Sequence, residues 1–198
     1  MSTTKGELRR AAILDAAEKT LLHHGHAGLS LRAVATAASI RLGHLQHYFP
    51  SRSRLVEALL DRVLRRSLQR LAQHTEGTPH DADPATLVET LLAEQHDATL
   101  VRVFVEIWAL AASDREAATA VRGFYRTYTE MVADHIGRLC PYLTPRSRWA
   151  RAHVFIALLE GAALMRSGIA ADATEAGDAH LRRTALVLLS GRYGDLPE

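Results

Sequence analysis

The chain has 198 residues, 47% apolar and 23% charged, with a net charge of +2. That is enough for one substantial core, or for a small domain joined to a larger one, and too apolar for disorder. No apolar run reaches the ~20 residues of a membrane span, no signal-type core follows Met1, and Cys140 is the lone cysteine, so a membrane protein, an exported protein and a disulfide scaffold are not expected and a reducing cytoplasm is.

Nearly every segment reads as helix. The first covers about residues 5–24, opened by a capping box of Thr4 and Glu7, with Ile13, Ala16, Ala17, Thr20 and Leu21 on one face. Gly25 is expected to stop it. A short helix over 31–38 follows, with Ser30 as N-cap and Leu31, Val34, Ala35 and Ala38 as a narrow apolar stripe. After a turn at Ser39 and Ile40, a third helix over 42–48 buries Leu45, with Phe49 beyond it, and Pro50 ends it. Ser51 caps a fourth helix to about residue 73. It carries two apolar stripes, Leu55, Leu59 and Val63 on one and Val56, Leu60, Leu64 and Leu68 on the other. A helix buried on two faces is expected to bridge two packing units.

Residues 74–84 read as a polar loop. Further helices are predicted over 85–96, 99–112, 115–140, 146–167 and 175–191, with Pro141 and Pro145 marking the turn before the eighth. The sixth is apolar nearly all round, which predicts a place at the centre of a second domain. The expected fold is therefore all-α with about nine helices. Its domains are residues 1–50 and 51–198, with the fourth helix, 51–73, linking them.

Two short helices joined by a tight turn and packed on a preceding helix make a helix-turn-helix. Its second helix must fit a major groove about 12 Å wide, apolar inside and hydrogen-bonding outside. Leu45 and Phe49 face in, and Arg41, His44, Gln46, His47 and Tyr48 are left for the outside. The charge agrees. Residues 1–54 hold eight Lys or Arg against three acids, and no acid lies between Glu18 and Glu57. A basic first quarter is the footprint expected of a chain that meets an anionic polymer.

The local sequence narrows this further. Ile13-Leu14-Asp15-Ala16-Ala17, Gly25, Leu29-Ser30-Leu31-Arg32-Ala33-Val34-Ala35, Ala37-Ala38-Ser39-Ile40, Gly43-His44-Leu45-Gln46-His47-Tyr48-Phe49, Pro50-Ser51-Arg52 and Leu55 follow one another in order. Together they resemble the N-terminal domain of the TetR family of transcriptional regulators. The resemblance covers residues 13–60; beyond about residue 65 it is architectural only. It implies an all-helical homodimer that binds a near-palindromic operator in double-stranded DNA, probes a small-molecule effector with its C-terminal domain, and represses transcription. Three positions depart from the family pattern. Ser39 stands where the turn usually has Gly, Arg41 where a small hydroxyl residue is common, and Gln46 where an aromatic is common.

Tyr48 and His47 match family positions that touch the DNA backbone, and both side chains donate hydrogen bonds. Ser30, Arg32, Ser51 and Arg52 lie at or beside helix starts, where free N–H groups favour phosphate. Gly43 permits close approach of DNA, and Arg41, His44 and Gln46 are the candidates for base reading, Arg suiting guanine and Gln adenine.

In the second domain, apolar and aromatic side chains recur with a few polar ones, as in ligand pockets. The candidate lining is Phe104, Glu106, Trp108, Tyr125, Tyr128, Met131, His153, Ile156 and Glu160. A flat apolar or aromatic effector suits these walls, although for any single aromatic plain core packing is the more common role. Glu106 and Glu160 need partners if buried; Arg102, Arg166, solvent or a cationic ligand are the alternatives. Small and apolar residues on the last two helices, Ala157, Gly161, Ala162, Leu181, Ala185 and Leu188, form the candidate dimer interface, with completion of the monomer core as the alternative.

No cofactor, metal site or catalytic constellation is expected. His23, His24 and His26 lack a Cys or acid to complete a ligand set, and no nucleophile elbow, phosphate-binding loop or zinc-protease motif occurs. The competing reading is a helical small-molecule-binding protein with no transcriptional role.

Overall fold

The computed structural model describes residues 4–75, 84–94 and 97–191. These hold nine α-helices and no named strand: α1 (Lys5–Gly28), α2 (Leu31–Ala37), α3 (Leu42–Tyr48), α4 (Arg52–Thr75), α5 (Pro84–Glu94), α6 (Ala98–Ser113), α7 (Arg115–Leu139), α8 (Pro145–Arg166) and α9 (Glu175–Ser190). Of the polar stretch expected at 74–84, residues 76–83 lie outside the described residues, as do 95 and 96 at the expected end of the fifth helix. The chain divides into two compact units, residues 1–66 with 102–123, and residues 67–101 with 124–198.

Local chemistry accounts for the helix starts. Thr4 and Glu7 complete the capping box, the Glu7 N–H donating to Thr4 Oγ1 at 3.2 Å and the Thr4 N–H to Glu7 Oε2 at 2.6 Å. Ser30, Ser51, Thr144 and Thr174 accept from the backbone of Ala33, Arg54, Ser147 and Gly177, which starts α2, α4, α8 and α9. One expectation needs correcting. Gly25 kinks α1 without ending it; at φ 66 and ψ 177 the chain breaks and then turns helically once more to Gly28. The break is stable because the His26 N–H, cut off from its helical acceptor, donates to Glu106 Oε2 at 2.7 Å.

In the first unit Ile13, Ala17, Leu21, Leu29, Val34, Leu45, Phe49, Leu55 and Leu59 are buried. Arg62 ties α4 to α1 through the Ala11 carbonyl and the Asp15 carboxylate, and Arg66 reaches Glu18 at 3.2 Å. The sixth helix was expected at the centre of the second domain. From Arg102 onward it belongs instead to the first unit, where Val103, Ile107 and Leu110 are buried and Glu106 is bound to His26. An all-round apolar helix reports burial without saying in which core.

The second unit is built around Val88, Ile136, Ala152, Phe155, Ala185 and Leu189. Arg166 of α8 locks it, pairing with both Asp178 oxygens at 2.8 and 3.0 Å and donating to the Leu92 carbonyl at 3.1 Å. This joins α5, α8 and α9. No helix among the described residues is long and apolar enough to cross a membrane.

Candidate functional site

The α2–α3 turn is closed by backbone hydrogen bonds from Ala38 to Val34, Ser39 to Thr36 and Ile40 to Ala35, at 2.8, 3.0 and 3.0 Å. Ser39 adopts φ 54, the left-handed conformation that glycine takes without strain. The turn therefore keeps its shape despite the departure at this position. Below it Leu45 and Phe49 anchor α3 in the core, at 0% and 1% exposure.

Outside, Arg32, Arg41, Gly43, His44, Gln46 and His47 are exposed, and Tyr48 is half-buried. The Tyr48 ring stands 5.7 Å from His44 and edge-on to His47 at 5.4 Å, so three hydrogen-bonding rings line one edge of the helix. Arg41 is the N-cap but makes no side-chain cap bond, which leaves its guanidinium outside the helix's own hydrogen bonding. A Cβ on Gly43 would meet nothing within 4 Å, so no packing inside the chain demands glycine there. Room outside the chain is what the residue provides.

The candidates at the helix starts divide. The Ser30 and Ser51 hydroxyls are occupied as caps. Arg52, expected at a phosphate, donates from Nε to the Leu29 carbonyl at 2.8 Å and from Nη2 to the His26 carbonyl at 3.0 Å. It pins the segment between α1 and α2. Sequence reasoning missed Arg10, whose guanidinium lies 4.7 Å over the Phe49 ring. Its place in the basic opening helix was the available signal, but only the packing of α1 on α3 brings it beside Tyr48.

Residues 13–59 match the profile of the bacterial regulatory proteins of the tetR family. An uncharacterised HTH-type transcriptional regulator from the dhlA 5′ region of Xanthobacter autotrophicus is 31% identical over 139 residues, 68% of this chain and 69% of that protein. The chain belongs to the TetR family of transcriptional regulators. The HTH-type transcriptional regulator UidR of Escherichia coli K12 is 29% identical over 134 residues, 67% of each chain. The fold of Salmonella enterica GusR superposes with a TM-score of 0.78 at 22% identity, over 94% of this chain and 97% of that one. Membership in this family sets aside the reading of a binding protein with no transcriptional role.

In this TetR-family regulator the nine candidate pocket residues are distributed over both units. Phe104, Glu106 and Trp108 belong to the first. Phe104 and Trp108 are in ring contact at 6.2 Å. Glu106 is bound at the α1 kink, its Oε2 lying 3.0 Å from His26 Nδ1. Tyr125, Tyr128, Met131, His153, Ile156 and Glu160 belong to the second unit. His153 is exposed on α8, and its ring lies against Trp149 at 4.4 Å. Ile156 is part of the unit's core and Met131 packs against that core. Tyr125, Tyr128 and Glu160 come together, with the Tyr125 hydroxyl donating to Glu160 Oε1 at 3.0 Å. Burial pushes the Glu160 carboxyl up to about 7 against the smaller opposing pull of that hydroxyl.

The regulator's dimer candidates also divide. Ala157 and Gly161 are exposed, and Ala162 and Leu181 half-buried, along an open groove of about 420 Å³ that Leu158 and Met165 share. Ala185 and Leu188, at 0% and 3% exposure, are corrected: they sit in the second unit's own core and offer no surface to a partner.

Proposed function

We propose that the protein is a homodimeric repressor that grips a near-palindromic operator through α3 and releases it when a small molecule occupies the second unit. The observation that carries this reading is the outer face of α3. Its exposed Arg41, His44, Gln46 and His47 surround an unobstructed Gly43, on a surface where no acid occurs from residue 19 to 56. Arg and Gln offer bidentate partners to guanine and adenine, while Tyr48, His47 and Arg32 offer donors to phosphate.

One short recognition helix per chain calls for two chains on two half-sites. A stripe on α8 supports a two-fold contact. Ala150, Val154, Ala157, Gly161 and Met165 recur at helical spacing, and all are exposed. Val154 and Met165 are 52% and 54% exposed, and a partner helix would cover them. The effector reading is supported by the half-buried Tyr125, Tyr128 and Glu160. The helices α4, α6 and α7, each with residues in both units, supply a route for the signal. The effector acts only through its difference in affinity for the two states; a 10- to 100-fold change in operator affinity needs a coupling of roughly 1.4–3 kcal/mol.

Fluorescence anisotropy with a duplex from the promoter beside the protein's own gene tests the reading. Binding is expected to fall steeply with salt, as phosphate contacts release counterions. Tyr48→Ala weakens binding to every duplex by ~1–3 kcal/mol, and Arg41→Ala relaxes preference at one position per half-site. Equal affinity for promoter and random duplexes at physiological salt overturns the proposal.

A further inference from the structure

Glu160 of α8 faces an aromatic cluster on α7. Besides the hydrogen bond from Tyr125, the rings of Tyr125 and Tyr128 stack with planes 20° apart and centroids 6.5 Å apart. Phe124 meets Tyr125 edge-on at 5.0 Å and leans on Tyr128 at 5.9 Å. Phe124 and Thr129 are closed off from solvent, whereas Tyr125, Tyr128 and Glu160 each keep part of their surface. Glu160 is thus tied by its Tyr125 hydrogen bond to an aromatic cluster whose rim keeps part of its surface open to solvent.

Such a carboxylate is costly to ionise unless a cation or several donors meet it. Among the described residues Tyr125 is its one hydrogen-bond donor, and no Lys, Arg or His pairs with it. Four arginines on the helices of this unit are engaged elsewhere: Arg166 with Asp178 and Leu92, Arg151 with the Gly191 carbonyl, Arg182 with Glu89, and Arg138 against His135. Arg126, beside Tyr125 on α7, is exposed and makes no ion pair with Glu160. A position that served packing alone would be filled as well by Gln or Leu, without the desolvation penalty. An ionised Glu160 therefore has no positive partner among the described residues.

We propose that this cluster is a binding site for an organic cation, an ammonium group bearing apolar or aromatic substituents. The charge sits against Glu160 and the substituents against Tyr125 and Tyr128. Aromatic faces attract such cations, most strongly where water is excluded, and a diffuse quaternary ammonium is cheap to desolvate. The inference rests on the reading that the second unit senses a small molecule, and it names that molecule's chemical class. Binding selects the ionised carboxylate, so a proton leaves to solvent when the cation enters. With Glu160 titrating at about 7, the ionised fraction rises about tenfold from pH 6 to pH 8, and affinity rises with it.

Calorimetric titration of the full-length protein with phenyltrimethylammonium and with tert-butylbenzene, its uncharged counterpart in shape, tests this. The cation is expected to bind, about tenfold tighter at pH 8 than at pH 6, with the neutral compound at least tenfold weaker at pH 8. Glu160→Gln should lose at least tenfold in affinity at pH 8 along with the pH dependence. Tyr125→Phe keeps the ring but removes the donor, so its affinity curve should move to higher pH; it serves as the test if the Gln variant does not fold. Absence of cation binding at millimolar concentration, equal binding of the neutral compound, or full affinity in Glu160→Gln overturns the site. A separate arm adds saturating cation to the operator complex. If the cation binds as described and the complex persists, the sensing reading falls while the cation site stands.

Discussion

At the scale of single residues, two positions show a local cost accepted for a larger gain. Ser39 occupies φ 54 so that the α2–α3 turn can close, and its side chain is exposed. Ser39→Gly relieves that strain, partly offset by the added freedom of the unfolded chain. A stabilisation of about 0.5–1 kcal/mol is expected, seen as a rise in Tm of a few degrees with operator affinity unchanged. Glu160 carries the second cost. Its folded carboxyl titrates at about 7 and its unfolded one near 4.5. The unfolded state therefore releases the proton first, and stability from this group is fully present below about pH 4.5 and is lost as pH rises through 7. In urea titrations, the stability advantage of Glu160→Gln over the parent should grow by roughly 2 kcal/mol from pH 5 to pH 8. A constant difference across that range would show that the carboxyl titrates normally.

At the scale of elements, the end of α1 is where three helices are tied. Gly25 breaks the helix in a conformation that side chains avoid, Glu106 of α6 takes the released His26 N–H, and Arg52 of α4 holds the His26 and Leu29 carbonyls. A Cβ on Gly25 would lie 3.2 Å from Glu106 Oε2 in addition to the backbone strain, so Gly25→Ala should cost at least ~1–2 kcal/mol in thermal or chemical unfolding. Arg52→Ala separates two roles. As a backbone anchor, Arg52 contributes about 1.5–3 kcal/mol through charged hydrogen bonds, and the variant melts earlier. As a phosphate contact alone, its loss would leave the melting temperature in place and reduce only the salt dependence of DNA binding.

At the scale of the whole molecule, the proposed dimer makes a demand on α8. Gly161 is exposed, a Cβ there meets nothing within 4 Å, and it lies mid-stripe between Ala157 and Met165. Gly161→Arg should leave the monomer folded, because the position is exposed and its Cβ has open space, and should block a two-fold contact by bulk and by like charge across the axis. Light scattering is expected to give the dimer mass for the parent and the monomer mass for the variant, with operator affinity falling alongside. A parent that remains monomeric at micromolar concentration refutes the dimer.

The sequence by itself determined what is written in short-range chemistry. Helical periodicity, the capping residues Thr4, Ser30 and Ser51, and the Pro and Gly punctuation located the nine helices to within a few residues. The ordered motif from Ile13 to Leu55 identified the family. The outward face of α3 was equally legible, because Leu45 and Phe49 take the inward positions and the rest must point away. Tertiary structure alone decided the partner of each buried face. Ala185 and Leu188 read the same whether they meet α5 and α8 or a second chain, and an apolar α6 reads the same in either unit. Glu106 and Glu160 look alike in sequence, yet one caps a broken helix and the other waits among aromatic rings. Periodicity states which side of a helix avoids water; what covers that side depends on contacts between residues far apart in the chain, such as His26 and Glu106, and these carry no local signal.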